Sequence, residues 1–514
     1  MSDDDGAAAD AAADGDAPAA YDDLLEEYAR HATLGDVNGL LQWDQEVVMP
    51  EGGTPARSTQ RSTLSALAHE TLTDDVVGES LADLEGTDLH PARAAAVREI
   101  RREHERATAV PTDVVEELSA ASSSALPKWQ EAKEEDDFDA FAPALERLVD
   151  LSREYAAHVD PDRDPYAVLF EEYEPYLGVE TADRVLTRLR EELVTLIDAV
   201  GDSDVEQPRP FDVTVDEATQ EALSRDVLST LGYDFDRGRL DTAPHPFTSG
   251  TPFDARVTTR FSPEDLLDGL TSTVHEFGHA CYVQGLPRDA YGSPLGESRD
   301  LTVHESQSRF WENHVARSRP FWDHAAPLVR EHVPALDDLS PDAAYRAANR
   351  VYDDNLIRVD ADELTYHMHV VVRYEIERDL IRGDLDVPEV PAVWDDKMED
   401  YLGVRPETDA EGCLQDIHWS HGSFGYFPTY TLGSVLAAQL DAAMRDDVPD
   451  VDGKVRDGEF GPIREWHRDA VHRHGKRYRT DDLVERATGE PFSADAFLDY
   501  VREKYGDLYD LEGV

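Results

Sequence analysis

Ser262-Pro263-Glu264-Asp265-Leu266-Leu267-Asp268-Gly269-Leu270-Thr271-Ser272-Thr273-Val274-His275-Glu276-Phe277-Gly278-His279-Ala280-Cys281-Tyr282-Val283-Gln284-Gly285-Leu286-Pro287 decides how this chain is read. It contains His-Glu-x-x-His inside a segment with helix signals at both ends. Ser262 suits an N-cap, Pro263 the first helical position and Asp265 the third residue of a capping box. Gly285 suits a left-handed stop before Leu286-Pro287. Leu266, Leu267, Leu270, Val274, Phe277 and Cys281 recur at helical spacing and form one apolar face. At about 100° per residue, His275 and His279 fall roughly 40° apart and nearly opposite that face. They point to solvent or into a cleft, about 6 Å apart along the axis.

Two imidazoles so placed can grip one divalent cation, and the glutamate between them can reach a water bound to it. A catalytic zinc needs a third protein ligand and an open position. The pattern with a further histidine six residues on is excluded, because Tyr282 and Gly285 stand at the diagnostic positions. A downstream glutamate is the other solution. Glu297 lies in Gly292-Ser293-Pro294-Leu295-Gly296-Glu297, which reads as loop. Glu305 lies in His304-Glu305-Ser306-Gln307, which opens a periodic run through Phe310, Trp311 and Val315. A helix-borne carboxylate is held more rigidly, which favours Glu305.

With these elements in hand the chain resembles the carboxypeptidase Taq family of metallocarboxypeptidases. His245-Pro246-Phe247, Asp254-Ala255-Arg256-Val257-Thr258, Ile357-Arg358-Val359-Asp360-Ala361-Asp362 and Gly412-Cys413-Leu414-Gln415-Asp416-Ile417-His418-Trp419 match further family elements in order. The resemblance starts with Leu41-Gln42-Trp43-Asp44-Gln45 and Met49-Pro50 and runs almost to the C-terminus. It implies a mostly α fold of the zincin type, with His275, His279 and Glu305 holding Zn2+. It also implies release of C-terminal residues with broad tolerance, poor cleavage at C-terminal proline, and a homodimer. Co2+ or Mn2+ can substitute at such a site.

Glu276 is the expected general base and later acid. An exopeptidase must also recognise the free α-carboxylate. Arg358 is the first candidate, because arginine binds carboxylates bidentately; Arg256 is the second. The alternative for Arg358 is an ion pair with Asp360 or Asp362. His418, Tyr426 and Tyr430 are candidate donors to a developing oxyanion. Trp419, Phe424 and Phe427 of the same glycine-broken stretch read as packing. Asp416 can orient a zinc histidine. His245-Pro246-Phe247 and Arg256 to Phe261 read as short extended segments beside the cleft, and His245 and Arg256 could face a peptide bound along such an edge.

At 514 residues the length alone suggests about three domains. The motifs between residues 245 and 430 must converge on one ion, so we read one helical unit over 21–514 with its N-terminal half as wall or lid. Residues 1–20, rich in Ala, Asp and Gly, read as a disordered acidic tail without the features of a signal peptide. No run of eighteen apolar residues predicts a membrane span. The chain carries 111 acidic against 48 basic residues, a net charge of −63, and arginine supplies 42 of the 48. Such repulsion destabilises a compact state in dilute buffer and is screened in concentrated salt, which points to the cytoplasm of an extreme halophile. The same charge argues against nucleic acid as a partner. Cys281 and Cys413 read as small core residues rather than ligands. The rival readings are an oligoendopeptidase and a non-enzymatic, metal-stabilised peptide-binding protein.

Overall fold

In the computed structural model, which describes residues 17–352 and 354–511, helices dominate. The N-terminal helix Ala19–Val47 packs antiparallel on Thr54–Leu72, with the turn at Met49-Pro50. The predicted acidic tail lies outside the described residues up to Asp16. Its last residues do not: Ala17 and Ala20 pack on the cluster of Tyr21, Leu24, Leu81 and Ile100. A second, larger core joins helices Phe138–Val159 and Val179–Gly201 to Tyr366–Arg382, Pro428–Asp447 and Asp495–Tyr509. That core draws on both halves of the chain. A third cluster, around Phe277, Trp311 and Trp322, backs the histidine-bearing helix. Among the described residues no helix is long and apolar enough to cross a membrane.

Three short strands form the β element: β1 (Leu240–Thr242), β2 (Thr248–Thr251) and β3 (Asp254–Thr259), in the order β1-β3-β2. β1 runs parallel to β3, pairing Leu240 with Val257; β2 runs antiparallel, pairing Thr248 with Val257 and Thr251 with Asp254. Ala255 and Val257 are wholly buried, so β3 presents that face to the core. The expectation that His245-Pro246-Phe247 is a strand needs correction. These residues form the connection from β1 to β2, and only Phe247 joins the sheet laterally, through its N–H and C=O to the Thr258 hydroxyl at 2.8 Å each. Proline at 246 has no N–H to give a ladder.

The central helix runs Leu266–Gly285. Its cap is Asp265, whose carboxylate accepts from the Asp268 N–H at 3.0 Å. Ser262 does not cap it. Its carbonyl accepts from Gln220 Nε2 at 2.6 Å, and Pro263 O accepts from Val215 N at 2.8 Å, so this stretch is drawn away to a neighbouring segment. Gly285 is not a left-handed stop either; the helix ends in extended backbone at Leu286, φ −65° and ψ 153°. Glycine is needed there because a Cβ would lie 2.4 Å from His472 Nδ1. Leu266, Leu270, Val274 and Phe277 are buried as expected, whereas Leu267 and Cys281 are only half-buried. Cys413 is buried.

Candidate metal centre and substrate cleft

His275 and His279 stand one turn apart, with ring centroids 4.9 Å apart. Glu305 comes from the helix Leu301–Arg309, which Gly278 lets approach very closely: a Cβ at 278 would lie 2.5 Å from Gln307 O and Ser308 Cα. From a second helix, Pro428–Asp447, a Cβ at Gly433 would lie 2.5 Å from Glu305 Cγ. The Glu305 helix is thus held close by two glycines on two helices. Its N-terminus is fixed by Asp300, which accepts from Val303 N at 3.2 Å, and by buried Glu174, which accepts from Thr302 N at 2.7 Å.

This packing brings Glu305 Oε2 to 3.7 Å from His275 Nε2 and 3.4 Å from His279 Nε2. Candidate donor atoms of the three residues all lie within 4.8 Å of one another, and no fourth His, Cys, Asp or Glu joins them among the described residues. The outer contacts suit a cation. His275 Nδ1 donates to Glu312 Oε2 at 2.8 Å, which leaves Nε2 as the free lone pair. His279 Nδ1 meets His304 Nδ1 at 2.7 Å. Burial and the neighbouring His279 push His304 down to about 3, so it is neutral and can accept that proton. Burial opposes charge on Glu305, yet Arg309 and His275 outweigh it and hold the carboxyl well below the usual range. Arg309 Nε occupies Oε1 at 2.7 Å and leaves Oε2 facing the imidazoles. Glu297, the loop alternative, lies elsewhere: it accepts from Tyr28 OH at 3.0 Å and Lys476 Nζ at 2.6 Å.

Glu276 is buried, and its Oε2 lies 2.8 Å from the Thr248 hydroxyl at the start of β2. The sheet therefore positions the glutamate between the two histidines.

Arg358 sits in a 3-10 turn, Arg358–Asp360, and does not pair with Asp360 or Asp362. Its Nε and Nη2 both reach Asp416 Oδ1, at 3.1 and 2.7 Å, and Nη1 donates to Tyr366 OH at 3.2 Å. Asp416 also takes Arg373 Nε on its other oxygen. Asp416 thus orients arginines rather than a metal histidine; the two guanidiniums offset its burial and hold it ionised. The Tyr366 ring lies 4.8 Å from the Arg309 guanidinium and 5.9 Å from that of Arg358, which places both arginines around one ring. Arg256 is paired to Asp254 at 2.7 Å and stacked 4.2 Å over Trp43 of the N-terminal helix. His245 is exposed in the loop before β2.

His418, Tyr426 and Tyr430 cluster, with centroids 5.6 Å apart for His418–Tyr426 and 5.3 Å for Tyr426–Tyr430. Burial lowers His418 to about 4, keeping it neutral. The segment is less loop-like than its glycines suggest, since Tyr430 opens the helix Pro428–Asp447. Trp419, Phe424 and Phe427 are buried as packing residues.

A family model described as carboxypeptidase Taq (M32) metallopeptidase matches residues 23–505. The chain belongs to this family. Thermostable carboxypeptidase 1 of Thermus thermophilus is 40% identical over 510 residues, covering 96% of this chain and 99% of that protein. The crystal structure of an M32 carboxypeptidase from Deinococcus radiodurans R1 superposes with a TM-score of 0.93 at 38% identity, covering 96% of this chain and 100% of that one. A structure of Pyrococcus furiosus carboxypeptidase gives a TM-score of 0.93 at 35% identity, with 96% and 100% covered. Family and relatives together make the chain an M32 metallocarboxypeptidase, mostly helical with one small sheet.

Several residues around the M32 site escaped the sequence reading. Glu312 and Arg309 lie on the face of Glu305, at i+7 and i+4, and charges at that spacing in an apolar run were the available signal. Glu312 belongs to a π-helical turn, Phe310–Ala316, a feature frequent at functional sites. It also binds Arg317 at 3.2 Å. The next residue, Asn313, gives its carbonyl to Tyr500 OH at 3.1 Å, and Tyr500 OH and Lys504 Nζ both bind buried Glu363, at 2.7 and 2.5 Å. Thr248, Tyr366 and Arg373 carried no local signal; only the fold brings them in. Glu377 is wholly buried and accepts from Trp419 Nε1 at 2.8 Å and Gly425 N at 3.1 Å, anchoring the segment between His418 and Tyr426.

Proposed function

We propose that this M32 metallopeptidase is a zinc-dependent carboxypeptidase that releases C-terminal residues from peptides, with Glu276 as general base and acid. The observation that carries the reading is the convergence of His275, His279 and Glu305 with each histidine's Nδ1 already committed, so that three lone pairs face one point. A cation held there would polarise the scissile carbonyl and acidify water. Glu276, steadied by Thr248, takes the proton of the attacking water and passes it to the leaving amine. Arg358 is our choice for the substrate carboxylate, because arginine binds carboxylates bidentately and Asp416 and Tyr366 hold this guanidinium in one orientation. Tyr426, Tyr430 and neutral His418 supply donors near the carbonyl. Arg256 and His245 are secondary candidates, for the upstream peptide. Co2+ or Mn2+ would serve in place of zinc at this donor set. The broad tolerance, the weak cleavage at proline and a homodimer are carried by family resemblance. The cytoplasm of an extreme halophile is our reading of the −63 charge.

The experiment is digestion of paired peptides in concentrated potassium chloride, one with a free and one with an amidated C-terminus, with products read by mass. Stepwise loss of residues from the free peptide only is expected. Internal cleavage of both would identify an oligoendopeptidase. Turnover retained in Glu276→Gln would overturn the assigned base.

A further inference from the structure

Across the chain, acidic residues outnumber basic ones more than two to one. In one groove the ratio reverses. A cavity of about 660 Å³, outside the metal cluster, is lined by Arg98, Arg101, Arg102, Arg106, Arg163 and Arg479 against Glu105, Asp160 and Glu171. Four of these arginines lie on one face of the helix Pro91–Ala109, where residues three and four apart are neighbours.

Part of this set is structural. Arg98 pairs with Glu99, Arg106 with Glu172 and Arg163 with Glu171, and several of them also bind backbone carbonyls that tie the helix to the body. Clamping does not account for the rest. Among the described residues, no carboxylate lies within 4.0 Å of Arg102 or Arg479 in an ion pair. Arg102 has the Glu171 carbonyl for its hydrogen bond. Burial, then the neighbouring Arg106, push its pKa below the usual guanidinium value. Arg101 donates to the Leu81 carbonyl at 2.6 Å, and its nearest carboxylate is Glu105, a solvent-exposed contact of 3.8 Å. Arg98 and Arg479 lie 5.4 and 5.5 Å from the centroid of one ring, Tyr176, and so within about 11 Å of each other. Beside them Leu84, Leu89 and Val97 supply an apolar wall.

The geometry points to this groove as a binding site for a phosphate dianion, free or carried on a small organic molecule. Planar guanidinium forks match phosphate oxygens and neutralise two charges at once. Arg102 and Arg479, which lack carboxylate partners among the described residues, both line the cavity and are the groups open to a phosphate, and an organic carrier would cover Tyr176 and the apolar wall.

The test is calorimetric titration of the intact, metal-loaded protein with inorganic phosphate, with AMP and with adenosine, at the lowest potassium chloride concentration that preserves its circular dichroism. We expect saturable one-to-one binding of phosphate or AMP and none of adenosine. Tighter AMP than phosphate identifies an organic carrier; equal affinities identify the free ion. Arg479→Gln, remote from the metal cluster, should weaken binding about tenfold, the size of one lost charge-assisted contact, and leave peptide trimming unchanged. Glu105→Gln, which removes a lining carboxylate at an exposed position, should tighten it about threefold. Adenosine binding as well as AMP, no saturable binding at millimolar phosphate or AMP, or affinities indifferent to both substitutions would overturn the proposal.

Discussion

Gly278→Ala should damage the metal centre without touching a ligand. The added Cβ would sit 2.5 Å from Gln307 O and Ser308 Cα, both backbone atoms, so no side chain can swing aside. Restoring ordinary contact requires the two ligand-bearing helices to part by roughly 1 Å. The Glu305 helix cannot shift freely, because Gly433 of the helix Pro428–Asp447 packs just as closely against it, with a hypothetical Cβ 2.5 Å from Glu305 Cγ. Overpacking of this kind costs about 1–3 kcal/mol. Metal sites tolerate ligand displacements of only about 0.2 Å, so Glu305 Oε2 would move out of register with the imidazoles. We expect metal affinity to fall about 10- to 100-fold, the range seen when support of a ligand is lost. Competition with a fluorescent chelator measures the affinity, and denaturant unfolding measures the stability. A Gly278→Ala protein that binds metal like the parent would refute the argument that helix proximity sets the site.

Glu312→Gln keeps the shape but leaves Arg309 and Arg317 facing an amide; metal affinity should drop about 10- to 100-fold in the same chelator assay. Arg358→Ala should lower kcat/KM on free-carboxylate peptides by at least about tenfold while metal content, read by atomic absorption, stays at one per chain; parallel loss of metal would reveal a folding role. Burial raises Glu377 from the ordinary 4.5 to about 8, only partly offset by hydrogen bonds from Gly425 and Trp419. Its folded pKa lies above the unfolded one, so its contribution is full below pH 4.5 and is lost as pH rises to about 8. Across that window parental stability should fall relative to Glu377→Gln; parallel curves in denaturant titrations would contradict this. Finally, the melting temperature should climb from dilute to multimolar potassium chloride, as repulsion within a −63 chain is screened; a flat curve by differential scanning calorimetry would remove the halophile reading.

The helical fold and the shared face of His275 and His279 were legible in the sequence, because spacing on a helix translates directly into a face; that Glu305 meets them depends on how a second helix docks. Helix ends were less legible. Asp265 and Ser262 are both competent caps, and the choice was made by Gln220 and Val215, distant in sequence. Arg358 was recognised as a functional candidate, but its partner was sought among the nearby Asp360 and Asp362, whereas the fold supplies Asp416. Thr248 on Glu276 and His304 on His279 could not be found by periodicity, because each contact depends on how separate elements dock.

The docking of the last helix has a practical corollary. Tyr500 grips the backbone one residue after Glu312, which in turn orients His275, so the carboxyl-terminal segment stands two contacts from the His275 imidazole. Trimming that segment, or fusing a bulky partner to it, should loosen metal retention long before it unfolds the rest. Affinity handles therefore belong at the amino-terminal end of this enzyme.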